Sequence, residues 1–350
     1  MHILLTGGGT AGHVIPNIAI AAAIKEFSPQ ARITYLGSRK GIERKLCEEA
    51  GIPFESVATG KLRRYFDLRN MVDIFKIPVG IVQAFFKLLK HRPKAVFSKG
   101  GYVGFPVVFA AWLIGIPVYI HESDALPGLT TRLCAPFAKK IFLGYEEAEE
   151  ALDHYAKKLE VVGNPVRLDL YDGKVAAAKK LTGFLGKRPV LLVMGGSSGS
   201  LELNKKIEKE KKALLAVYDI VHITGEGKGT HSKSELSKKS GYYSVPYVGS
   251  QLKDLYALAS LALTRAGASA LAELEALQLP ALLFPLGTHA SRGDQILNAQ
   301  ALTKKSSLYH LGEDVPPLTV QLAKLPPRKT HHVENSATQV IALTLLDQPI

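Results

Sequence analysis

The stretch Met1–Glu26, MHILLTGGGTAGHVIPNIAIAAAIKE, places an apolar run before a glycine-rich turn and an apolar helical segment. Gly7, Gly9 and Gly12 satisfy the pattern G-x-G-x-x-G, in which glycines permit a tight turn and bring backbone amides to a phosphate at a helix N-terminus. The same glycines would also fit an ordinary turn between a strand and a helix. The stretch therefore predicts a βα unit of a Rossmann-like domain, with a phosphate-binding turn as its functional interpretation.

Apolar runs of strand length continue along the first half of the chain, and helical segments such as Ile15–Phe27 and Ile42–Ala50 separate them. The runs are Ile3–Thr6, Ile33–Gly37, Ala95–Ser98, Val118–Ile120, Ile141–Leu143 and Val161–Gly163. Because the runs are apolar on both faces, they indicate a parallel sheet covered by helices.

The pattern starts again at Arg188–Ser200, RPVLLVMGGSSGS, where a strand leads into another glycine turn. The later runs are Ile220–Thr224, Tyr243–Tyr247, Leu261–Arg265 and Ala281–Pro285. We therefore predict an α/β protein with two similar parallel-sheet domains, residues 1–163 and 164–334, joined near GNPVRLDL (Gly163–Leu170). A last helix is expected at about residues 335–350.

The charge and the cysteine content limit the partners and the compartment. The formal net charge of +13 favours a polyanionic partner, which could be nucleic acid, an anionic membrane or a phosphorylated substrate. Cys47 and Cys134 form neither a disulfide framework nor a metal-binding spacing, which suits a reducing cytoplasm. Because strand-like residues begin at His2, we expect no signal peptide. The uncharged stretch Gly100–Ile120 is long enough to span a bilayer, but its prolines and glycines predict a loop, a short buried helix and a strand.

Two further glycine-rich turns follow apolar runs, at Gly195–Gly199 and within Ser98–Pro106. The turn at Gly195–Gly199 offers amides and hydroxyls to a diphosphate. Together with the turn at Gly7–Gly12 there are three such turns, more than one dinucleotide requires. An NAD-binding domain would also place an acid at the end of its second strand, where this chain has Ser38, Arg39 and Lys40. NAD is therefore disfavoured, whereas Arg39 leaves an NADP-dependent oxidoreductase open.

A candidate general base stands at the first turn. His13 follows Gly12 at a predicted helix N-terminus, which disfavours the charged imidazolium and leaves a neutral ring to accept a proton. The alternative is a solvated residue at the start of the helix. His121, Glu122 and Asp124 follow a strand, as cleft groups or as ordinary polar residues of a loop.

Hydroxyl-binding candidates occur in the second half. Glu273, near the start of a predicted helix, is suited to the two hydroxyls of a ribose, unless it is simply solvated. Asp294 and Gln295 precede another helix and also suit hydroxyls. The sequence contains no Asp-x-Asp motif, so we predict no metal site and no cofactor.

The segment from Lys61 to Lys99 is both basic and apolar. It holds ten Lys and Arg residues against two acids, a local charge of +8 by subtraction, and includes VGIVQAFFKLLKH (Val79–His91). One interpretation is a core helix with a solvated edge. The other is a surface that docks on an anionic bilayer, where each basic residue contributes on the order of 1 kcal/mol. The membrane-side candidates are Phe75, Ile81, Phe85, Phe86, Lys87 and Lys90. No nucleic-acid reader motif is present, so we predict no nucleic-acid partner.

Seven ordered sequence blocks carry a resemblance to a known family. They are GGGTAGHVIPNIAIA (7–21), SKGGYVGFP (98–106), HESDALPGLTTR (121–132), GNPVR (163–167), MGGSSGSLELN (194–204), TRAGASALAELEA (264–276) and SRGDQILNA (291–299). In this order the blocks resemble the MurG family of peptidoglycan N-acetylglucosaminyltransferases over nearly the whole chain.

The resemblance implies a GT-B fold, with two Rossmann-like domains facing a cleft and the last helix packing back on the N-terminal domain. It implies inverting transfer of N-acetylglucosamine from UDP-N-acetylglucosamine to the muramyl 4-hydroxyl of lipid I, which gives lipid II. The implied location is peripheral, on the cytoplasmic face of the plasma membrane, in contact with its anionic inner leaflet and with other proteins of cell-wall synthesis.

The resemblance also assigns roles to individual residues. It makes His13 the proposed base, and it places the acceptor against the glycine turns of the N-terminal domain. The acceptor-side residues are Gly9, Ala11, Gly100, Gly101, Tyr102, Gly104, His121 and Glu122. The donor-side residues are Thr10, Gly12, Asp124, Arg167, Gly196, Ser197, Ser198, Tyr247, Val248, Ala268, Glu273, Asp294 and Gln295. The chain departs from the family where Ser123 and Asp124 replace a frequent amide pair, and where Ala11 replaces a frequent glycine.

Two other classes of function remain open beside a different UDP-sugar transferase of the same fold. One is the NADP-dependent oxidoreductase suggested by the first turn and Arg39. The other is a noncatalytic, membrane-associated protein that binds a nucleotide sugar.

Overall fold

The computed structural model describes residues 1–60, 69–196, 199–229, 241–287, 293–329 and 336–348, with only the backbone described at 69–74. Contacts within the chain divide it into two units. The first comprises Met1–Leu168 and Asn335–Ile350, and the second comprises Asp169–Glu334.

The first unit is built on a parallel sheet that contains seven strands in the described part of the chain. The strands are β1 (His2–Thr6), β2 (Arg32–Ser38), β3 (Phe54–Val57), β4 (Ala95–Ser98), β5 (Val118–Glu122), β6 (Lys140–Leu143) and β7 (Leu159–Val161). Their order is β3-β2-β1-β4-β5-β6-β7, and every neighbouring pair is parallel. The chain changes winding direction between β1 and β4, and in doubly wound sheets ligands bind at this switch point, beyond the carboxyl ends of the strands.

Helices cover both faces of this sheet. They are α1 (Ala11–Phe27), α2 (Glu43–Glu49), α3 (Arg69–His91), α4 (Gly104–Leu113) and α5 (Leu129–Cys134). One core cluster lies under α1 and α2, and another lies under α3, α4 and α5. The strands that the two clusters enclose are buried along their whole length, which explains their continuous apolar character.

The second unit repeats the plan with six described strands. The strands are β8 (Val190–Met194), β9 (Asp219–Ile223), β10 (Tyr242–Val245), β11 (Leu261–Thr264), β12 (Ala281–Leu283) and β13 (Tyr309–Leu311). The order is β10-β9-β8-β11-β12-β13, which puts the switch point between β8 and β11. The helices are α6 (Val175–Thr182), α7 (Leu201–Val217), α8 (Leu252–Leu258), α9 (Ala268–Ala276), α10 (Asp294–Lys305) and α11 (Leu318–Ala323).

The last helix, α12 (Ala337–Leu346), packs in the first unit although the second unit precedes it in sequence. Ile341 and Leu345 are buried in the same cluster as Ile20 and Ile24 of α1. The Thr338 hydroxyl donates to the Val166 carbonyl at 2.9 Å, so α12 is also tied to the end of the linker block.

The α/β class and the paired parallel sheets predicted from the sequence are confirmed. The predicted strand Val161–Gly163 is wrong in position: β7 covers Leu159–Val161, and Gly163, with φ = +85°, lies beyond its end. The sequence analysis also missed β3 and β13. Both are short edge strands with partly exposed residues, so they lack a continuous apolar run.

The uncharged stretch Gly100–Ile120 folds into the predicted loop, short helix (α4) and strand (β5). None of the described helices is both long and apolar enough to cross a bilayer.

Candidate active site

Two glycine turns, the first at Gly7–Gly12 and the second at Gly100–Gly104, meet at the switch point of the first unit. The Gly8 amide donates to the Gly100 carbonyl at 3.2 Å. A Cβ placed on Gly101, which has φ = +76°, would lie 2.0 Å from the Gly8 carbonyl oxygen. Only glycine at position 101 therefore lets the two turns approach this closely.

His13 lies in the first turn of α1, half-buried beside this junction. Its Nδ1 is 3.1 Å from the carbonyl oxygen of Lys99, which directly follows β4. Because a carbonyl only accepts hydrogen bonds, Nδ1 carries the proton of the neutral ring, and Nε2 carries the lone pair. The geometry thus fixes the tautomer that a general base needs.

Glu43 of α2 supports the first turn, which the sequence analysis did not foresee. This buried carboxylate accepts from the Gly9 amide at 2.8 Å and from the Ser38 hydroxyl at 3.0 Å. The Gly9 amide, predicted to face an acceptor diphosphate, is therefore already bonded within the protein. Thr10 caps α1 without a side-chain bond, and Ala11 and Gly12 open its first turn.

The aromatic residue of the second turn also packs under the first. A Cβ on Gly9 would lie 2.8 Å from Cε1 of Tyr102. Gly104 begins α4, and a Cβ there would lie 2.6 Å from the Ser98 hydroxyl oxygen. Tyr102 and Gly104 therefore shape the junction of the two turns.

His121 and Glu122, both predicted to contact an acceptor, are buried, and their side chains bond within the protein. Glu122 accepts hydrogen bonds from the amides of Ser123, Asp124 and Gly128 and from the Thr131 hydroxyl. These bonds use the carboxylate to hold the loop that leads into α5. Asp124, in the same loop, remains partly exposed.

His121 is about 1% exposed, and its Nε2 bonds the Gly163 carbonyl at 2.9 Å. Since that carbonyl accepts the Nε2 proton, Nδ1 is left to accept from the ammonium of Lys99 at 2.8 Å. Burial lowers the pKa of His121 well below its usual value, and the nearby Lys99 ammonium lowers it further. His121 is therefore a neutral internal link between β5 and the linker.

Lys99, like Glu43, is a site residue that the sequence analysis missed. It is 2% exposed, and its ammonium also donates to the Ser123 hydroxyl. Burial lowers the pKa of Lys99 to about 8, against the opposing effect of the Glu122 and Asp124 carboxylates. The only sequence signal was a cation directly after an apolar strand, which is also common in exposed loops.

In the second unit, the turn after β8 leads into α7. The Ser200 hydroxyl accepts from the Leu203 amide at 3.2 Å and caps the helix. Buried Arg265, after β11, donates to that hydroxyl at 2.8 Å and to Glu202 at 2.7 Å. Gly196 has φ = +79° and open space where a Cβ would stand. Ser197 and Ser198, both predicted donor contacts, lie outside the described residues.

The predicted ribose glutamate is oriented by a tyrosine. In α9, which begins at Ala268, Glu273 accepts from the Tyr256 hydroxyl at 2.8 Å. Glu275, two positions later, instead pairs with exposed Lys305 at 2.5 Å. The structure thus separates two glutamates that look alike in sequence.

The other donor-side candidates occupy loops and helix starts. Tyr247 and Val248 follow β10, and Tyr247 is 58% exposed. Asp294 and Gln295 begin α10, and the Oε1 atom of Gln295 accepts from the Leu286 amide at 3.1 Å. Because Oε1 makes this bond, the amide nitrogen of Gln295 points away from the Leu286 amide. Arg167 belongs to the first unit by its contacts.

The membrane-side candidates divide into two faces of α3. Ile81 and Phe85 are partly buried against the core, and Lys87, also partly buried, pairs with Glu55 of β3. Phe75 is 74% exposed and Phe86 is 65% exposed. Among the side chains described from position 75 onward, the exposed apolar ones of α3 are Phe75, Val79, Val82, Phe86 and Leu89, whose spacing places them on one stripe. We call this set the α3 stripe; Lys90 lies at its end and is exposed.

Within the described ranges, no group of three or more His, Cys, Asp or Glu residues is arranged to hold a metal ion.

Family models cover most of the chain. The glycosyltransferase family 28 N-terminal domain matches residues 3–143, and the corresponding C-terminal domain matches residues 190–338. The chain belongs to glycosyltransferase family 28.

Named members of the family are similar over most of their length. A UDP-N-acetylglucosamine–N-acetylmuramyl-(pentapeptide) pyrophosphoryl-undecaprenol N-acetylglucosamine transferase of Geobacillus kaustophilus is 46% identical over 303 residues, 86% of this chain and 83% of that protein. A relative of the same name from Clostridium kluyveri is 40% identical over 342 residues, 97% of this chain and 95% of that protein. The resemblance to the MurG family is thereby confirmed.

Solved structures agree on the fold. The crystal structure of Acinetobacter baumannii MurG matches with a TM-score of 0.70 at 22% identity, covering 99% of each chain. The UDP-GlcNAc 2-epimerase of Methanocaldococcus jannaschii matches with a TM-score of 0.68 at 16% identity, covering 99% of this chain and 100% of that one. With both parallel sheets observed, the GT-B fold expected for this family 28 protein is confirmed.

Proposed function

We propose that this family 28 protein transfers N-acetylglucosamine from UDP-N-acetylglucosamine to the muramyl 4-hydroxyl of lipid I, with inversion to a β linkage, and so forms lipid II. The relatives described above are named as N-acetylglucosamine transferases. The observation in this chain that supports the proposal is His13, held by the Lys99 carbonyl at the junction of the first two glycine turns.

His13 acts as the general base in this proposal. The 4-hydroxyl of the acceptor gives its proton to Nε2 as its oxygen attacks C1 of the donor sugar. The bond between C1 and the UDP oxygen breaks on the opposite face, and UDP leaves with the bonding electron pair. The ring becomes positively charged when Nε2 takes the proton. The hydrogen bond from Nδ1 to the Lys99 carbonyl stabilises that charge.

The second unit supplies most of the donor contacts in this proposal. The glycine turn that leads into α7, with Gly196 and Gly199, stabilises the negative charge on departing UDP through its backbone amides, and Arg167 assists. Glu273 binds the ribose hydroxyls, oriented by Tyr256, while Tyr247 and Val248 border the uracil. Gln295, Asp294 and Asp124 contact the sugar hydroxyls.

On the acceptor side, the second glycine turn (Gly100–Gly104) binds the diphosphate of lipid I. The Gly9 amide is bonded to Glu43, and the His121 and Glu122 side chains are buried and bonded within the protein, so in this proposal the three residues shape the acceptor site from within.

The α3 stripe is proposed to dock on the anionic inner leaflet of the plasma membrane, which brings the lipid-linked acceptor to the protein. A stripe of exposed phenylalanine, valine and leucine is costly in water, and its basic flank at Lys90 favours an anionic surface. The location is thus peripheral, on the cytoplasmic face.

The direct test is transfer of labelled N-acetylglucosamine by the purified protein to a lipid I analogue. We expect a β-linked disaccharide product, and no product from a matched analogue that lacks the muramyl 4-hydroxyl. A thermal-shift panel with UDP-N-acetylglucosamine, other UDP-sugars and NADPH tests the donor. Stabilisation by NADPH alone would reject the proposal, whereas tight binding of the correct donor without turnover would favour a noncatalytic binder.

A further inference from the structure

Lys99 presents a buried cation that the catalytic scheme does not use. Its side chain lies beneath the loop that carries Ser123 and Asp124, where it bonds His121 at 2.8 Å and the Ser123 hydroxyl. A buried ammonium without compensation is strongly unfavourable, so its surroundings must repay the loss of hydration.

Two carboxylates provide the compensating charge. Both Glu122 and Asp124 favour the protonated form of Lys99, with Glu122 the stronger. Glu122 is fixed by four donors and is internal, whereas Asp124 is the partly exposed carboxylate of the loop. The titratable groups around the ammonium are therefore the Glu122 and Asp124 carboxylates and the neutral His121 ring, and His13 is held by the backbone carbonyl of the same lysine.

We propose that Lys99 is a positioning residue for the donor sugar: its ammonium ties down Ser123 and balances the charge of Asp124, so that the Asp124 carboxylate is presented to the sugar in one orientation. The inference rests on the proposed function, and it deepens it. Lys99, Ser123 and Asp124 act together in this proposal. The Lys99 ammonium offsets the repulsion between the Asp124 carboxylate and the diphosphate of the substrate.

The lysine has a second link to the site through its main chain. Its carbonyl holds His13, while its side chain holds the sugar-side loop. One residue at the end of β4 therefore sets both the base and the proposed sugar contact.

A double-mutant cycle tests the coupling. The affinities of wild type, Lys99→Met, Asp124→Asn and the double variant are measured by calorimetry for UDP-N-acetylglucosamine and, separately, for UDP. Each single variant is expected to weaken binding of the sugar nucleotide about tenfold and to leave UDP within about twofold. The double variant is expected to lose about tenfold, not a hundredfold, because both changes act through the same pair.

Lys94→Met is the matched control, since Lys94 precedes the same strand, is exposed, and pairs with Asp347 at 3.5 Å. It should bind both ligands as wild type does. If Lys99→Met does not fold, Ser123→Ala keeps the ammonium and removes its tether, and the same selective loss of sugar-nucleotide affinity is expected. Additive losses in the cycle, or equal losses of UDP and UDP-N-acetylglucosamine affinity, would overturn the role of Lys99.

The failure of the proposed function would look different. In that case the wild type would neither bind UDP-N-acetylglucosamine nor transfer its sugar, and the positioning role would fall with it. If the wild type transfers the sugar but the double-mutant cycle is additive, only the positioning role of Lys99 is rejected.

Discussion

Glu273 and Glu275 show at the scale of single residues what a sequence leaves undecided. Both are glutamates on one helix, yet one accepts from Tyr256 and the other pairs with exposed Lys305. The sequence analysis chose Glu273 because of its place near a helix start and its family match. The tyrosine that orients it lies 17 positions earlier, and no local pattern revealed it.

Tyr256→Phe is therefore expected to weaken UDP binding about fivefold, since one hydrogen bond to a charged group contributes on the order of 1 kcal/mol or more. Isothermal calorimetry with UDP measures the effect. Lys305→Met, which removes the partner of Glu275, serves as the control and should bind UDP normally. Equal weakening by both changes would show that helix α9 itself, and not the Glu273 carboxylate, responds.

The buried lysine gives a pH-dependent prediction. The pKa of Lys99 is about 8 in the folded protein against 10.5 for an ordinary lysine, so between these values the unfolded chain holds a proton that the folded chain lacks. Its contribution to stability consequently rises with pH across this window, by about 3 kcal/mol in total. Other groups titrate there too, so the useful quantity is the difference between wild type and Lys99→Met.

Urea unfolding at pH 8 and near pH 10.5 measures that difference. Relative to Lys99→Met, the wild type should gain stability as the pH rises. Parallel pH profiles for the two proteins would contradict the burial and partial deprotonation of Lys99.

At the scale of elements, α3 separates an inner from an outer face. Phe85 packs on the core, while its neighbour Phe86 is 65% exposed. The sequence analysis grouped the two because apolar residues cover most of this helix and its register against the sheet was unknown. Packing against β3 and α4 supplies that register.

Phe86→Ser is expected to weaken binding to anionic vesicles several-fold without changing the melting temperature, because the side chain lies in water and contributes little to the fold. Vesicle co-sedimentation measures the binding. Leu185→Ser, at an exposed apolar residue of the second unit, is the control. Phe85→Ser should instead lower the melting temperature. Unchanged vesicle binding by Phe86→Ser would remove the α3 stripe as the docking surface.

The elements that sequence predicted well are those whose burial is complete. β1, β4 and β8 are buried along their length and appear as uninterrupted apolar runs before glycine turns. The edge strands β3 and β13 escaped prediction because only part of each is buried. Within the site, the positions of the turns were predictable, but the internal partners of Gly9, His121 and Glu122 depend on contacts distant in sequence.

At the scale of the whole molecule, the chain returns to its first unit through α12. Ile341 is fully buried against α1, so Ile341→Ala removes core volume from the first unit alone. The expected cost is about 2–5 kcal/mol. In differential scanning calorimetry, UDP is expected to raise the melting temperature of the second unit. Ile341→Ala is expected to lower the melting temperature of the first unit. A mutation that lowered only the UDP-sensitive transition would contradict this assignment.

The central claim is that this family 28 protein transfers a sugar with His13 as the base. The most direct measurement is the turnover number of His13→Ala for labelled N-acetylglucosamine transfer to a lipid I analogue, with UDP affinity measured in parallel. Loss of a general base predicts a decrease of about 10²–10⁴-fold in turnover while UDP affinity is retained. Transfer by His13→Ala at the wild-type rate would contradict the account.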